Sequence, residues 1–219
     1  QVLRREKIAS EGVIYEKGRP TTVKTRIIAH SQQVVRFDRE LIGPISEASV
    51  KGILSYASEV MKHMDVVVVE DYGKGVIQES LLQKIILTAK KAKKPILVDP
   101  KEKHFSYYHG VTVITPNRKE ALAGADNLRI PHEADYRKAG RGLISKLACE
   151  AVLVTLGEQG MALFEKSGAM TEIPTAAREV YDVSGAGDTV IAVFGLALAA
   201  GASFKEAAMI SNLAAGIVV

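Results

Sequence analysis

Val180-Tyr181-Asp182-Val183-Ser184-Gly185-Ala186-Gly187-Asp188-Thr189, with the apolar run 190–200 behind it, is the stretch around which this chain is organised. Two glycines bracket an alanine, an acid follows at once, and the run behind them reads as a buried helix. Small residues let main-chain N–H groups come close to a ligand. A helix N-terminus carries partial positive charge, so Gly185, Ala186 and Gly187 form a corner that attracts anions. Asp188 is out of place there unless it has a second task. A carboxylate beside an anion site is repelled by it, whereas one that takes a proton from a hydroxyl attacking that anion is required. The stretch therefore points to phosphoryl transfer with Asp188 as base.

The spacing excludes the commoner glycine motifs. A dinucleotide fingerprint needs Gly or Ala three residues after Gly187, where Val190 stands, and no stretch satisfies Gly-x-x-x-x-Gly-Lys-Ser/Thr. A Gly-x-Gly-Asp tetrad alone reads equally well as a helix N-cap with nothing bound. The longer string Asp182-x-x-Gly185-Ala186-Gly187-Asp188 is more specific.

Outward from it, residues 65–70 contain four consecutive valines, the pattern of a strand buried on both faces. Further strands are expected at 95–99, 111–115 and 151–156, and a hairpin at 161–165 and 170–173. Helical spacing runs through Val50–Met61, through Leu81, Leu82, Ile85, Ile86 and Ala89, and through Tyr136, Ala139, Leu143 and Leu147. Residues 117–125 form a short helix, and Ser203-Phe204-Lys205-Glu206 is a capping box opening the last one. Strands alternating with helices predict an α/β fold with a mostly parallel sheet, helices on both faces and ligands at the strand C-terminal ends. Before Pro44 the pattern differs. Residues 13–15, 21–29 and 33–37 read as short antiparallel strands, giving a small lid-like segment (1–43) ahead of the α/β core (44–219). The charged residues 1–10 read as a helix remnant.

Chemistry-bearing residues fall at the predicted strand ends. Asn117 and Glu120 lie three apart at the start of a helix. Such a pair either caps the helix or holds Mg²⁺ through water, since Mg²⁺ prefers oxygen partners and keeps much of its hydration. Asp71 and Lys74 end one strand, Asp99 and Lys101 the next; a turn explains their glycines and proline but not the acid–base pairs. The ribbon carries Lys24, Arg26, Arg36 and Arg39, as a lid, a dimer contact or solvated charge. Lys24, Arg36, Asp71, Lys74, Asp99 and Lys101 are candidates for the substrate side.

Composition narrows the classes. A chain of 219 residues, 47% hydrophobic and 5% aromatic with no Trp, supports a sizeable aliphatic core. The net charge of +4 is spread along the chain, and Lys90-Lys91-Ala92-Lys93-Lys94 reads as a solvated helix end, not a nucleic-acid patch. Cys149 is alone, which excludes a disulfide framework and fits a cytoplasmic setting. These residues carry no signal-peptide pattern and no run of membrane-spanning length, so neither is expected, and the five histidines lack metal-ligand spacing. The chain opens on Gln1 and stops in the apolar Gly216-Ile217-Val218-Val219, so a longer protein, truncated here at both ends, is expected.

The string ending in Asp188 resembles the signature of the ribokinase-like carbohydrate kinases. That family carries an Asn-x-x-Glu in the place of Asn117 and Glu120, implicated in Mg²⁺ and ATP phosphate binding, and a Thr-x-Gly-x-x-Gly like Thr155-Leu156-Gly157-Glu158-Gln159-Gly160. The resemblance spans roughly residue 12 to the end. It implies a three-layer ribokinase-like fold, ATP and Mg²⁺ as cofactors, and ATP near Asn117, Glu120, Thr155 and Gly157, with Arg118 and Lys119 approaching the nucleotide. Within the family, residues 20–26, 32–40, 71–75 and 98–101 are most similar to the D-glycero-D-manno-heptose 7-phosphate kinases. This implies a sugar phosphate phosphorylated at its anomeric hydroxyl for ADP-heptose and lipopolysaccharide core synthesis. It also implies a homodimer, in a full-length protein fused to a nucleotidyltransferase. The family's early Gly-Gly segment and sugar-binding acid, and the His-x-Gly-His of a nucleotidyltransferase, are not found in these residues. Competing readings are a kinase for another sugar or nucleoside, a non-catalytic nucleotide- or sugar-binding module, and a Rossmann oxidoreductase, the last disfavoured by Val190.

Overall fold

A computed structural model describes residues 2–29, 32–125, 136–176 and 185–218. Asp182, Val183 and Ser184 of the opening stretch lie outside the described residues. A short helix, α1 (Val2–Arg5), comes first, then β1 (Val23–Ala29) and β2 (Gln32–Arg39), which form a separate two-stranded antiparallel sheet. The second sheet follows the order β3 (Val67–Glu70), β4 (Ile96–Asp99), β5 (Val113–Ile114), β6 (Ala151–Thr155), β7 (Met161–Glu165), β8 (Met170–Ile173). Its first three pairings are parallel and its last two antiparallel. The connections supply α2 (Glu47–Val60), α3 (Glu79–Lys91), α4 (Arg118–Gly124) and α5 (Tyr136–Leu147), and α6 (Ala186–Ala199) and α7 (Phe204–Val218) close the chain.

The two-residue period of the strands divides the core in two. Ile96 and Val98, with Ile114, Val152 and Val154, pack beneath α3, α4 and α5. Leu97, Val113, Leu153 and Leu163 face the other way and meet Val190, Ile191 and Phe194 of α6 and Ala207 and Ala208 of α7. Because both faces are covered, the strands read as near-continuous apolar runs rather than alternating ones. The result is an α/β sandwich of three layers with a ribbon outside it.

Three expectations change. Residues 13–15 form no strand; Glu16 ties this segment to α2 instead, accepting from the Ser46 N–H (2.9 Å) and the Ser49 hydroxyl (2.5 Å). A carboxylate at a helix N-terminus satisfies donors that the helix leaves unpaired. Strand β3 is buried on both faces in the sequence reading, yet it sits at the sheet's edge with Val68 39% exposed. Finally, residues Glu102–Tyr108 form a 3₁₀ helix that the sequence reading passes over. Phe105 and Tyr108, one 3₁₀ turn apart, carry it into the core.

The ribbon stands on a defined root. Arg19 Nη2 donates to the Leu41 carbonyl (3.2 Å) and to that of Lys74 (2.6 Å), and Lys74 pairs with Glu40. Gly43 N–H donates to the Lys74 carbonyl (3.3 Å) and Ile45 N–H to that of Gly75 (3.1 Å). Residues 43–45 thus lie alongside the turn that follows β3, held by these two backbone hydrogen bonds.

Candidate active site

Parallel pairing brings the C-terminal ends of β3, β4 and β5 to one edge, where the next residues carry the polar chemistry. Glu70 is the register partner of Asp99. Across from them α6 begins at Ala186, after Gly185, whose φ of +85° is left-handed and suits glycine. The first-turn amides of α6 have no acceptor within the helix. A Cβ on Gly187 would meet nothing within 4 Å, so packing inside the described chain does not demand glycine there.

Asp188, in the first turn of α6, lies with Glu70 and Asp99 in a cluster in which one carboxylate oxygen of each is within 4.8 Å of those of the other two. Burial and the neighbouring negative charges of Glu70 and Glu120 push Asp99 up to about 8. Glu70 is raised as well, by burial first and then by Asp188. Thr115 Oγ1 donates to Asp99 Oδ1 (3.3 Å), whereas Glu70 Oε2 is buried with no hydrogen-bond partner. An all-oxygen donor set with one orphaned buried oxygen fits a hard divalent cation.

A raised carboxylate carries a stability consequence. The unfolded chain releases its proton near pH 4, so between there and about 8 the fold holds a proton that the unfolded state does not. Stability is fully present below that window and declines as pH rises through it. The melting temperature of the metal-free protein should fall by several degrees from pH 5.5 to 8.5, and Asp99→Asn should flatten the fall. An equal fall in Asp99→Asn would remove Asp99 as its source.

Two cavities lie near this edge. One, of about 740 Å³, is lined by Asn117, Arg118, Lys119, Thr155, Gly157 and Gly187, with Asn212 and Ala215 of α7 on its wall. Asn117 and Thr155 adjoin through an isolated parallel bridge. The nucleotide-side residues expected from sequence therefore share one cavity, with Glu120 set behind it. Asn117 and Glu120 hold each other in a capping box: Asn117 Oδ1 accepts from the Glu120 N–H (2.9 Å), and Glu120 Oε2 from that of Asn117 (3.0 Å). Arg118 bonds Gln159 and lies over the Tyr136 ring (5.5 Å), and Lys119 pairs with Glu102 (3.1 Å).

The other cavity, of about 420 Å³ beneath the ribbon, is lined by Thr22, Lys24, Tyr72, Lys74 and Val76. Lys24 and Lys74 thus come together, while Arg36 pairs with Asp38 (3.0 Å) further along the ribbon. Asp71 is buried, its carboxylate taken up by neighbours. Lys101 gives its N–H to the Tyr108 hydroxyl (2.8 Å), and its side chain lies against Gly73. Asp188 is linked to both cavities: the residue before it lines one, and its hydrogen-bond partner Tyr72 lines the other.

The profile of the pfkB family carbohydrate kinases matches residues 1–219. The chain belongs to that family. The family is one of carbohydrate kinases, which implies ATP as the phosphoryl donor. A protein of Desulfatibacillum aliphaticivorans named "Bifunctional protein HldE" is 46% identical over 97% of this chain and 43% of its own length. Its namesake in Geobacter metallireducens is 44% identical over 95% and 42%. The chain thus spans less than half the length of these curated relatives. Escherichia coli phosphofructokinase-2 with substrates and products superposes with a TM-score of 0.67 at 19% identity, covering 89% of this chain and 63% of that one. Arabidopsis thaliana ribokinase with ribose and ATP gives 0.64 at 22%, covering 83% and 58%. Both show the ribokinase-like fold.

Sequence reasoning passed over Glu70 and Tyr72 in this pfkB site. Glu70 had a signal, an acid at the end of a valine strand beside another strand ending in Asp99, but it needed the β3–β4 register to be seen.

Proposed function

We propose that this pfkB chain is a D-glycero-D-manno-heptose 7-phosphate kinase, transferring the γ-phosphoryl group of ATP to the anomeric hydroxyl to give heptose 1,7-bisphosphate. The observation that carries the reading is Asp188 in the first turn of α6, next to Gly187 of the larger cavity and hydrogen-bonded to Tyr72 of the other, between which a nucleotide phosphate and a sugar hydroxyl would meet. The printed name of the relatives supports the choice of sugar, and ADP-heptose for the lipopolysaccharide core is the product line that follows. The longer protein would carry a nucleotidyltransferase part, and the cytoplasm, where ATP is supplied, is the place of action.

In this mechanism Asn117, Thr155 and Gly157 border the ATP phosphates, and Arg118 and Lys119 add positive charge at the cavity mouth. Asp188 accepts the proton from the attacking hydroxyl. The N–H groups of Gly185, Ala186 and Gly187 face the charge that grows on the transferring oxygens, where fixed donors act without reorganising. Glu70 and Asp99 would hold Mg²⁺, with Asn117 and Glu120 reaching it through water. When bound, the ion neutralises phosphate charge. Lys24 and Lys74 face the sugar phosphate beneath the ribbon, which serves as a lid (residues 1–43) over the core (44–219). Arg36, Asp71 and Lys101 then act at a remove, Asp71 by holding the turn before Lys74.

A homodimer through the ribbon is part of this proposal. Val23 and Ile27 share one face with Val35 and Phe37, all four exposed, with half-buried Thr25 between them and Arg39 at the end, while Lys24, Arg26, Arg36 and Asp38 occupy the other face. A second copy covering the apolar face leaves the charged face for the substrate.

The test is ADP release from Mg·ATP with heptose 7-phosphate, fructose 6-phosphate, ribose and adenosine. Heptose 7-phosphate should lead in kcat/KM by about 100-fold or more, the discrimination that a site contacting specific substrate hydroxyls provides. Comparable turnover of another acceptor would overturn the sugar assignment. ATP binding with no turnover of any acceptor would favour a non-catalytic module.

A further inference from the structure

Tyr72 lies between two groups that the proposed reaction uses, and its own place is fixed from behind. Asp71 Oδ2 accepts from the Tyr108 hydroxyl (2.8 Å) and lies 2.7 Å from His104 Nδ1, and Oδ1 accepts from the Gly73 N–H (2.8 Å). With its side chain only 1% exposed, Asp71 locks the backbone on both sides of Tyr72. From that turn the phenol reaches α6, and its hydroxyl stands 3.2 Å from Asp188 Oδ1 and 3.2 Å from Oδ2. Lys24 Nζ of the ribbon lies 5.0 Å from the centre of the same ring. A tyrosine present only as apolar cover has no reason to set its hydroxyl on a carboxylate, and here the residue is 51% exposed.

The geometry has a chemical consequence. Charge-assisted O–H···O⁻ bonds close to about 2.5–2.7 Å, so two equal contacts at 3.2 Å describe one proton shared between two oxygens. A phenol keeps its proton at neutral pH, so the hydroxyl is the donor and the carboxylate the acceptor. When a substrate hydroxyl takes one Asp188 oxygen, the phenol closes on the other and stops the carboxylate turning. A cation over the ring face attracts its electrons and strengthens the O–H as a donor.

We propose that Tyr72 is a positioning residue, fixing the Asp188 carboxylate through its hydroxyl, and that Lys24 couples the ribbon to it through the ring. This rests on the reading of Asp188 as base. The ribbon then does more than cover the sugar: its arrival over Tyr72 completes the orientation of the group that removes the proton.

The experiment compares Tyr72→Phe, Lys24→Met, Lys24→Arg, Tyr72→Leu and Asp188→Asn in steady-state ADP release. Tyr72→Phe keeps the ring and should lower kcat about tenfold, the scale of one hydrogen bond to a charged group, with KM for both substrates within about twofold. Lys24→Met should lower kcat about threefold, Lys24→Arg should restore it, and the loss should vanish in the Tyr72→Leu background. A second readout needs no turnover. With tyrosine labelled at Cζ with ¹³C, the Tyr72 signal, identified by its loss in Tyr72→Phe, should shift in Asp188→Asn and in Lys24→Met. An unmoved signal in Asp188→Asn, or a Tyr72→Phe kcat within about twofold of the parent, overturns the proposal. If Asp188→Asn is silent while Tyr72→Phe is unaffected, only the role of Tyr72 falls. If Asp188→Asn turns over at the parent rate, the base reading falls with it.

Discussion

Asp188→Asn is expected to lower kcat about a thousandfold, within the range that a lost general base costs, while the affinity for ATP stays within about threefold of the parent. Asparagine has nearly the same shape, and its amide oxygen still accepts from Tyr72, so the fold around α6 is preserved. What goes is the basic oxygen. The substitution also removes one negative charge from the cluster with Glu70 and Asp99, which eases the approach of a polyphosphate. Tighter ATP binding together with lost turnover would therefore be the strongest form of the result. It is measured by ADP release alongside equilibrium titration with ATP. Turnover within tenfold of the parent would remove Asp188 from proton transfer and leave the helix N-terminus as a simple anion site.

The second large effect belongs to Gly75→Ala. Gly75 has φ +96°, and a Cβ there would stand 1.8 Å from the Gly43 carbonyl oxygen and 2.9 Å from Pro44 N. Both are backbone atoms, so no side chain can rotate away; the segment 43–45 must leave the turn after β3. Strain of this kind with the loss of adjoining hydrogen bonds costs about 3 kcal/mol or more. Lys74 moves with the turn and the ribbon root with residues 43–45, so KM for the sugar phosphate should rise well beyond that for ATP. Gly18→Ala is the control. Gly18 also has positive φ, at +82°, but nothing lies within 4 Å of its Cβ position, so the loss should be about 1 kcal/mol. Urea unfolding of the two variants separates clash from backbone preference, and equal losses would mean that the 43–75 approach carries no weight.

The fold was legible wherever burial imposed a period. Strands β6, β7 and β8 and helix α5 lie where the short apolar runs and the spacing of Tyr136, Ala139, Leu143 and Leu147 predict them, because each is buried against the core. Strand β5 shrinks to Val113–Ile114 from an expected 111–115, since Val111 N–H pairs with the Tyr108 carbonyl and not with a strand. Residues 13–15 have strand composition but no partner strand; Glu16, a residue with no strand preference, decides their course. In the site, the residues around the nucleotide cavity were legible because each follows a strand end in the chain. The contact between Tyr72 and Asp188 was not, because it joins positions 116 apart through the meeting of a sheet edge and a helix start. Neither side carries a local pattern announcing the other.

The ribbon root and the start of α6 are built from different parts of the chain, and Asp188 is the hinge of chemistry between them. The ribbon cavity depends on residues near 22–24 and 72–76, and the larger cavity on 117–119, 155–161 and 186–216. Substitutions far apart with no shared partner act additively. In the proposed kinase, acceptor choice and donor handling are therefore separable except where Lys24 and Tyr72 join the ribbon to Asp188. Selection for a new sugar can rewrite the rest of the ribbon, but a change at Lys24 reaches the phosphate-handling half as well.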